Sequence, residues 1–382
     1  MTARVLHVLG RLHPGGGIET WLVELARGVD RDRFAVDFCV LDGTPGGYDD
    51  EVRRAGSEII RIHRAGNRWR FSGAFRAALR ARPGYDVVHS HVHYFSGLVL
   101  HAARQAGVPC RISHSHNDTR VPDREAILPR KAYNTAMRRL LLANGTLHLA
   151  VGSEAATALY GSGWERSGIV KILRCGLDFS RFRGERRRDE GLGIFSLPQD
   201  AFVVGSIGRL EPQKNQRFLL QVFAEIALRD PNAHLVVVGE GSRREDLEAL
   251  AAHLGVSERV RFPGVRKDVP RILDAFDVFL LPSFFEGLPL VALEAQAVGL
   301  PSLLSTNVTP ELEFSPGLVS RLPLDAGPVE WARRAMALRE RRVPKEEALR
   351  VAESSAFAIR ASLRALQEEY ERQLEKLRVA RA

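Results

Sequence analysis

The sequence predicts an α/β protein built from two doubly wound parallel-sheet halves, and three observations carry that prediction. Short apolar runs alternate with longer amphipathic ones through the first half, a charged glycine-bearing stretch interrupts them, and the alternation then restarts. Strands separated by helical stretches read as βαβ units, whose strands lie parallel. A length of 382 residues suits two or three domains.

In the first half, strands are predicted at Arg4–Leu9, Phe34–Leu41, Ile59–Ile62, Val87–Ser90, Arg111–Ser115 and Leu147–Gly152, with helices at Glu19–Val29 and Glu154–Tyr160. Asp178–Asp200, which includes RFRGERRRDEGLG, reads as a connector. The second series has strands at Phe202–Ile207, Leu235–Val238, Val260–Phe262, Val278–Leu281 and Pro301–Leu304. Its helices fall at Phe218–Leu228, Arg244–Leu254, Val269–Ala275 and Leu290–Val298. The expected domains are 1–178, 179–345 and a charged helical segment, 346–382, packing across both. Sheets of this kind bind ligands beyond the carboxyl ends of their strands, so the site is expected in a cleft between the halves.

Composition narrows the class. Hydrophobic residues are 45% and charged residues 26%, which excludes a mostly disordered or low-complexity chain. No 18-residue apolar run and no secretory leader is visible, so a cytoplasmic location is expected. Cys39, Cys110 and Cys175 are too far apart for a CxxC pair and read as small buried hydrophobes. The net charge of +9 favours anionic partners. Without zinc-finger spacing or an RNP aromatic pattern, nucleic acid is not the expected partner.

Four constellations could carry chemistry. Gly15, Gly16 and Gly17 stand between the first strand and first helix, where glycines let a backbone approach a phosphate. They form no Walker A loop, Thr20 replaces the third glycine of a dinucleotide fingerprint, and a ligand-free tight turn fits equally. Arg209 and Lys214, in GRLEPQKN just past a strand, are two cations able to neutralise a departing diphosphate, whereas either alone would read as a solvated side chain. Glu286 in a loop and Glu294 two turns into the next helix can both reach one ligand from the sheet edge. Carboxylates suit sugar and ribose hydroxyls, and Glu294 in so apolar a helix is poorly explained as an exposed charge. His89, His91 and His93 alternate at one strand end, and His114 and His116 at another, as for a metal site or proton relay. Histidines lining a polar cleft are preferred over a metal cluster, and no metal is assigned.

These residues resemble the GT-B glycosyltransferases of the retaining, nucleotide-sugar-dependent type, the group 1 or family-four glycosyltransferases, over nearly the whole chain. GGIET, SHSHN, GRLEPQKN, VVVGEGSRREDLEALAAHLGV, VRFPGVRKDV and EGLPLVALE stand in the family's order, and the first, second and last are most like its exopolysaccharide and capsule branch. The resemblance implies a GT-B fold, two Rossmann-like domains facing across a cleft. It further implies that Arg209 and Lys214 hold the donor diphosphate and that Glu286 touches the transferred sugar. Glu294 would bind ribose, backbone around Gly287, Leu288, Pro289 and Leu290 would contact sugar and phosphate, and Gly16 and Gly17 would lie under the donor phosphates and acceptor. His116, or else His114, would stand near the reacting sugar. Cys175-Gly176-Leu177-Asp178 departs from the family's Asn-Gly-Ile/Val-Asp.

The implied activity is transfer of a hexosyl group from a nucleoside diphosphate sugar, UDP-sugar foremost, to a glycan or lipid-linked acceptor with retention, using no cofactor beyond that co-substrate. A GT-B sugar-nucleotide epimerase, a metal-dependent hydrolase on the histidine strands and a non-catalytic sugar or nucleotide binder are the alternatives. The segment 64–82 holds Arg64, Arg68, Arg70, Arg76, Arg80 and Arg82 and no acid, with Phe75 and Leu79 four apart before Pro83. It reads either as a peripheral anchor to an anionic membrane's inner face or as a solvated arginine face over a buried stripe.

Overall fold

The computed structural model describes residues 2–379 apart from 15, 64–67 and 83. Its chain forms two compact units, Met1–Leu177 with Ile359–Ala382, and Asp178–Ala358.

The first unit is built on β1 (Ala3–Leu9), β2 (Phe34–Val40), β3 (Ile59–Arg61), β4 (Val87–Ser90), β5 (Cys110–Ser115), β6 (Leu147–Ala150) and β7 (Val170–Ile172). All pair in parallel, in the order β3-β2-β1-β4-β5-β6-β7. Both faces are covered, so β4 and β6 are buried along their whole length and β1 at all but Arg4. The helix Ile359–Val379 belongs to this unit: Trp21 Nε1 donates to Ser362 Oγ at 3.0 Å, and Leu366 and Tyr370 are at most 1% exposed. Each such buried side chain contributes about 1.5–3 kcal/mol.

The second unit holds β8 (Phe202–Ile207), β9 (Ala233–Val238), β10 (Val260–Arg261), β11 (Val278–Leu281), β12 (Ser302–Ser305) and β13 (Val319–Leu322). They are parallel in the order β10-β9-β8-β11-β12-β13. Phe202, Val204, Leu219, Phe223, Leu280 and Trp331 centre its core. Each sheet reverses its strand order once, between β1 and β4 and between β8 and β11, and those reversals are where ligands of open α/β sheets bind.

Three expectations are corrected. The charged stretch after Asp178 is packed structure: Arg188 Nη1 lies 2.6 Å from Asp277 Oδ1, and Arg186 Nε donates to Asp274 O at 2.9 Å, at the end of the helix Val269–Ala275. The expected segment 346–382 is two helices, and Lys345–Ser354 belongs to the second unit while Ile359–Val379 belongs to the first. In the helix Arg68–Arg80, Phe71, Phe75 and Leu79 are at most 5% exposed, so that apolar stripe belongs to the core and cannot insert into a bilayer. Arg64 and Pro83 lie outside the described residues, as does Gly15.

Candidate active site

At the second unit's reversal, two loops are laced together. β8 runs into Gly208, where a Cβ would stand 3.3 Å from Lys214 Cε, so the missing side chain leaves room for the lysine stem. Gln216 Nε2 donates to Arg209 O at 2.8 Å and fixes the turn. From β11, Phe284 N donates to Gln213 O at 2.9 Å, and Gln213 Nε2 donates to Phe285 O at 2.8 Å. Lys214 Nζ then meets Glu286 Oε1 at 2.6 Å, and Ser283 Oγ donates to the same oxygen at 2.7 Å. The pair's side chains are 14% and 7% exposed. Arg209 is exposed at the start of the same turn, Gly287 and Pro289 are buried, and Leu288 and Leu290 are half-buried.

Glu294 lies in the helix Leu290–Ala297, is buried, and its carboxylate meets the Arg181 guanidinium. Burial pushes its carboxyl above the usual range, and Arg181 opposes that rise. Pro289 has no N–H, so the backbone donors of this loop come from Gly287, Leu288 and Leu290. Sequence reasoning missed Arg181 and Ser283, whose types carry no signal until the fold places them.

In the first unit Gly16 is extended and Gly17 opens the helix Gly17–Gly28. Glu19 closes over Gly16, since its carboxylate occupies the space a Cβ there would need. Asp37, at the spacing of a ribose acid, instead accepts from Arg4 Nη2 at 3.0 Å and Tyr85 Oη at 2.9 Å, which makes it structural.

The histidines are buried, which corrects the expected polar cleft. His7, His89 and His114 are 0% exposed, and His91 and His116 are 7%. They form a hydrogen-bonded chain. His7 Nδ1 meets His91 Nε2 at 2.9 Å, His91 Nδ1 meets His116 Nε2 at 2.8 Å, and Cys175 Sγ lies 3.6 Å from His116 Nδ1. Tyr370 Oη closes the other end at 3.2 Å from His7 Nε2 and 2.7 Å from His89 Nδ1. Burial pushes the imidazoles of His7 and His114 down to about 3 and those of His89, His91 and His116 well down, so these rings are neutral. His93 falls outside the chain because β4 ends at Ser90 and the backbone turns, with φ of +50° at His93. His114 Nε2 meets Leu173 O at 3.1 Å. Sequence reasoning missed His7, which sits among Leu6, Val8 and Leu9 in β1, and Tyr370.

A groove of about 570 Å³ elsewhere on the second unit is lined by Arg183, Arg186, Lys345 and Arg350 with Glu185, Glu346 and Glu353, and it holds none of the residues above.

Two parallel sheets, each with a single order reversal and a polar constellation there, fit the GT-B class. The family description Glycosyl transferases group 1 matches residues 188–314, and Glycosyl transferase 4-like domain matches 16–172. The chain is 33% identical to EpsF of Bacillus subtilis over 86% of each chain. It is 30% identical to an Escherichia coli UDP-Gal:alpha-D-GlcNAc-diphosphoundecaprenol alpha-1,3-galactosyltransferase over 63% of this chain and 64% of that one. Anabaena HepE, solved with UDP and glucose, superposes with a TM-score of 0.77 at 18% identity over 97% of this chain and 99% of its own. The chain belongs to the group 1 glycosyltransferase family.

Proposed function

We propose that this glycosyltransferase moves a hexosyl group, with retention, from a UDP-sugar to a hydroxyl of a glycan or lipid-linked acceptor in exopolysaccharide or capsule assembly. The Lys214–Glu286 pair at the β8/β11 reversal carries this reading. Lys214 and Arg209 take the donor diphosphate and stabilise the charge it gains on leaving, while Glu286 accepts from a hydroxyl of the transferred sugar. Glu294, with Arg181 beside it, accepts from the ribose hydroxyls, and the N–H groups of Gly287, Leu288 and Leu290 bind sugar and phosphate. In the first unit, Gly16 and Gly17 lie under the donor phosphates and acceptor. His116 contacts the reacting sugar through Nδ1, whose thiol partner is the weaker of its two. His114 is the less suited, being fully buried with Nε2 on a carbonyl. Rate enhancement comes from positioning and leaving-group stabilisation, and no enzyme nucleophile is needed.

UDP and glucose in HepE, and the lipid-diphosphate acceptor of the Escherichia coli relative, support the donor and acceptor classes. Among the described residues no helix is long and apolar enough to cross a membrane, so contact with an anionic inner leaflet would be peripheral, through surface arginines such as Arg70 and Arg80. A thermal-shift screen of nucleoside diphosphates and nucleotide sugars tests the donor assignment, because a ligand of the folded state raises apparent stability. UDP and at least one UDP-sugar should raise the midpoint, and no shift with any nucleotide would overturn it. An epimerase would convert the donor without acceptor, so the nucleotide sugar recovered from such an incubation should be unchanged.

A further inference from the structure

We propose that His7, His89 and His91 form a transition-metal site at the β1/β4 reversal, binding a zinc-class cation through one nitrogen of each ring. His7 and His89 are register partners on adjacent parallel strands, and His91 follows two residues on, so all three side chains leave the same face. One nitrogen from each lies within 4.8 Å of the other two. The ring centroids are 4.3 Å apart for His89 and His91, 5.0 Å for His7 and His89, and 5.2 Å for His7 and His91.

Hydrogen bonds to outer partners fix one nitrogen of each ring and leave the other directed inward. Tyr370 Oη holds His89 Nδ1 and His7 Nε2, and His116 Nε2 holds His91 Nδ1. Directed inward are His89 Nε2, buried and without a partner among the described residues, and His7 Nδ1 and His91 Nε2, whose mutual hydrogen bond at 2.9 Å a bound cation would replace. Ligating histidines are held in this way, with the second ring nitrogen fixed by an outer partner. An all-imidazole set suits zinc, cobalt, nickel or copper and lacks the oxygen ligands that magnesium and calcium require. A bound ion would tie β1 to β4 and, through Tyr370, to the helix Ile359–Val379. It would also keep the His91 proton on Nδ1, directed at His116 Nε2. Lys214, Glu286 and Glu294 lie in the other unit, and the one link to the sugar-transfer reading is His116, hydrogen-bonded to His91.

The test is elemental analysis of the full-length protein, produced in zinc-supplemented medium or refolded with cobalt(II). One metal per chain is expected, with cobalt(II) giving the visible bands of nitrogen coordination. Trp21, whose ring centroid lies 6.0 Å from that of His91, should lose fluorescence with cobalt, and Trp21→Phe should abolish that quenching. His89→Phe, which keeps the ring volume, should lose the metal. Tyr370→Phe, which keeps all three ligands, should bind about 10- to 100-fold more weakly. His148→Phe, at another buried imidazole, should retain it. A wild-type chain without stoichiometric metal by both routes, or full metal in a His89→Phe variant folded by circular dichroism, would overturn the proposal.

Discussion

Lys214 Nζ lies 2.6 Å from Glu286 Oε1, joining loops 72 residues apart in sequence. Removing one member strands the other's charge in a largely buried setting, whereas removing both does not. Lys214→Ala should therefore destabilise more than the double variant Lys214→Ala with Glu286→Gln, with a coupling on the order of 0.5–3 kcal/mol in urea unfolding. Strict additivity would show that the pair does not interact.

Glu294 is held beside Arg181 and kept from solvent. If it accepts from ribose, wild type should prefer UDP to 2′-deoxy-UDP by about tenfold or more, a charge-assisted bond's worth. Glu294→Gln should narrow that preference in calorimetry. An unchanged preference would remove Glu294 from the ribose site.

In the proposed donor site, Arg209 and Lys214 take the part that a bound cation takes in metal-dependent transferases. The one Asp-x-Asp triplet, Asp30-Arg31-Asp32, precedes β2 rather than following a strand. Transfer assayed after brief chelator treatment should retain its rate, since a cation among the buried histidines would not be reached. A requirement for added manganese or magnesium would contradict this donor site.

The buried histidines set the response to acid. Burial pushes His93 and His148 down to about 4 and His7 and His114 to about 3, against an ordinary value of 6.5. Unfolded, these groups take up protons below 6.5, and folded they do not, so stability falls as pH drops from 6.5 towards 4 and is flat above 7. Each contributes about 1 kcal/mol per pH unit in that window. A urea midpoint that rises from pH 7 to pH 5 would contradict the burial.

The Arg70 and Arg76 side chains lie at least partly at the surface of the first unit, and Arg76 Nη1 donates to Gln105 Oε1 at 3.1 Å. Binding to anionic vesicles should be salt-sensitive and weaken in Arg70→Gln/Arg76→Gln by roughly 1 kcal/mol per arginine. With Phe75 and Leu79 in the core, the better apolar contact is Ile127 and Leu128, 73% and 81% exposed beside Arg124, Arg130 and Lys131. Failure to sediment with anionic vesicles at low salt would favour a soluble acceptor.

Eleven of the thirteen strands, the edge strands β3 and β10 among them, were legible from short runs rich in apolar residues. The other two, β7 and β13, are short edge strands with half-buried faces, and VKI and VSRL carry no apolar signature. Spacing in the sequence singled out Lys214, Glu286 and Glu294 as candidate site residues. Nothing in the sequence pointed to Arg181, His7 and Tyr370, which lie far from their partners along the chain, or to Ser283, a common residue type just before Glu286. His7 and Tyr370 are 363 residues apart, yet their side chains meet at 3.2 Å.

Calorimetric titration of UDP and of uridine into wild type and Lys214→Ala tests the donor site most directly. Loss of a charge-assisted contact worth about 1.5–3 kcal/mol should weaken UDP binding tenfold or more. Uridine, which lacks the phosphates, should bind both proteins alike. Equal UDP affinity in a folded Lys214→Ala variant would contradict the assignment of the diphosphate to the β8/β11 loops.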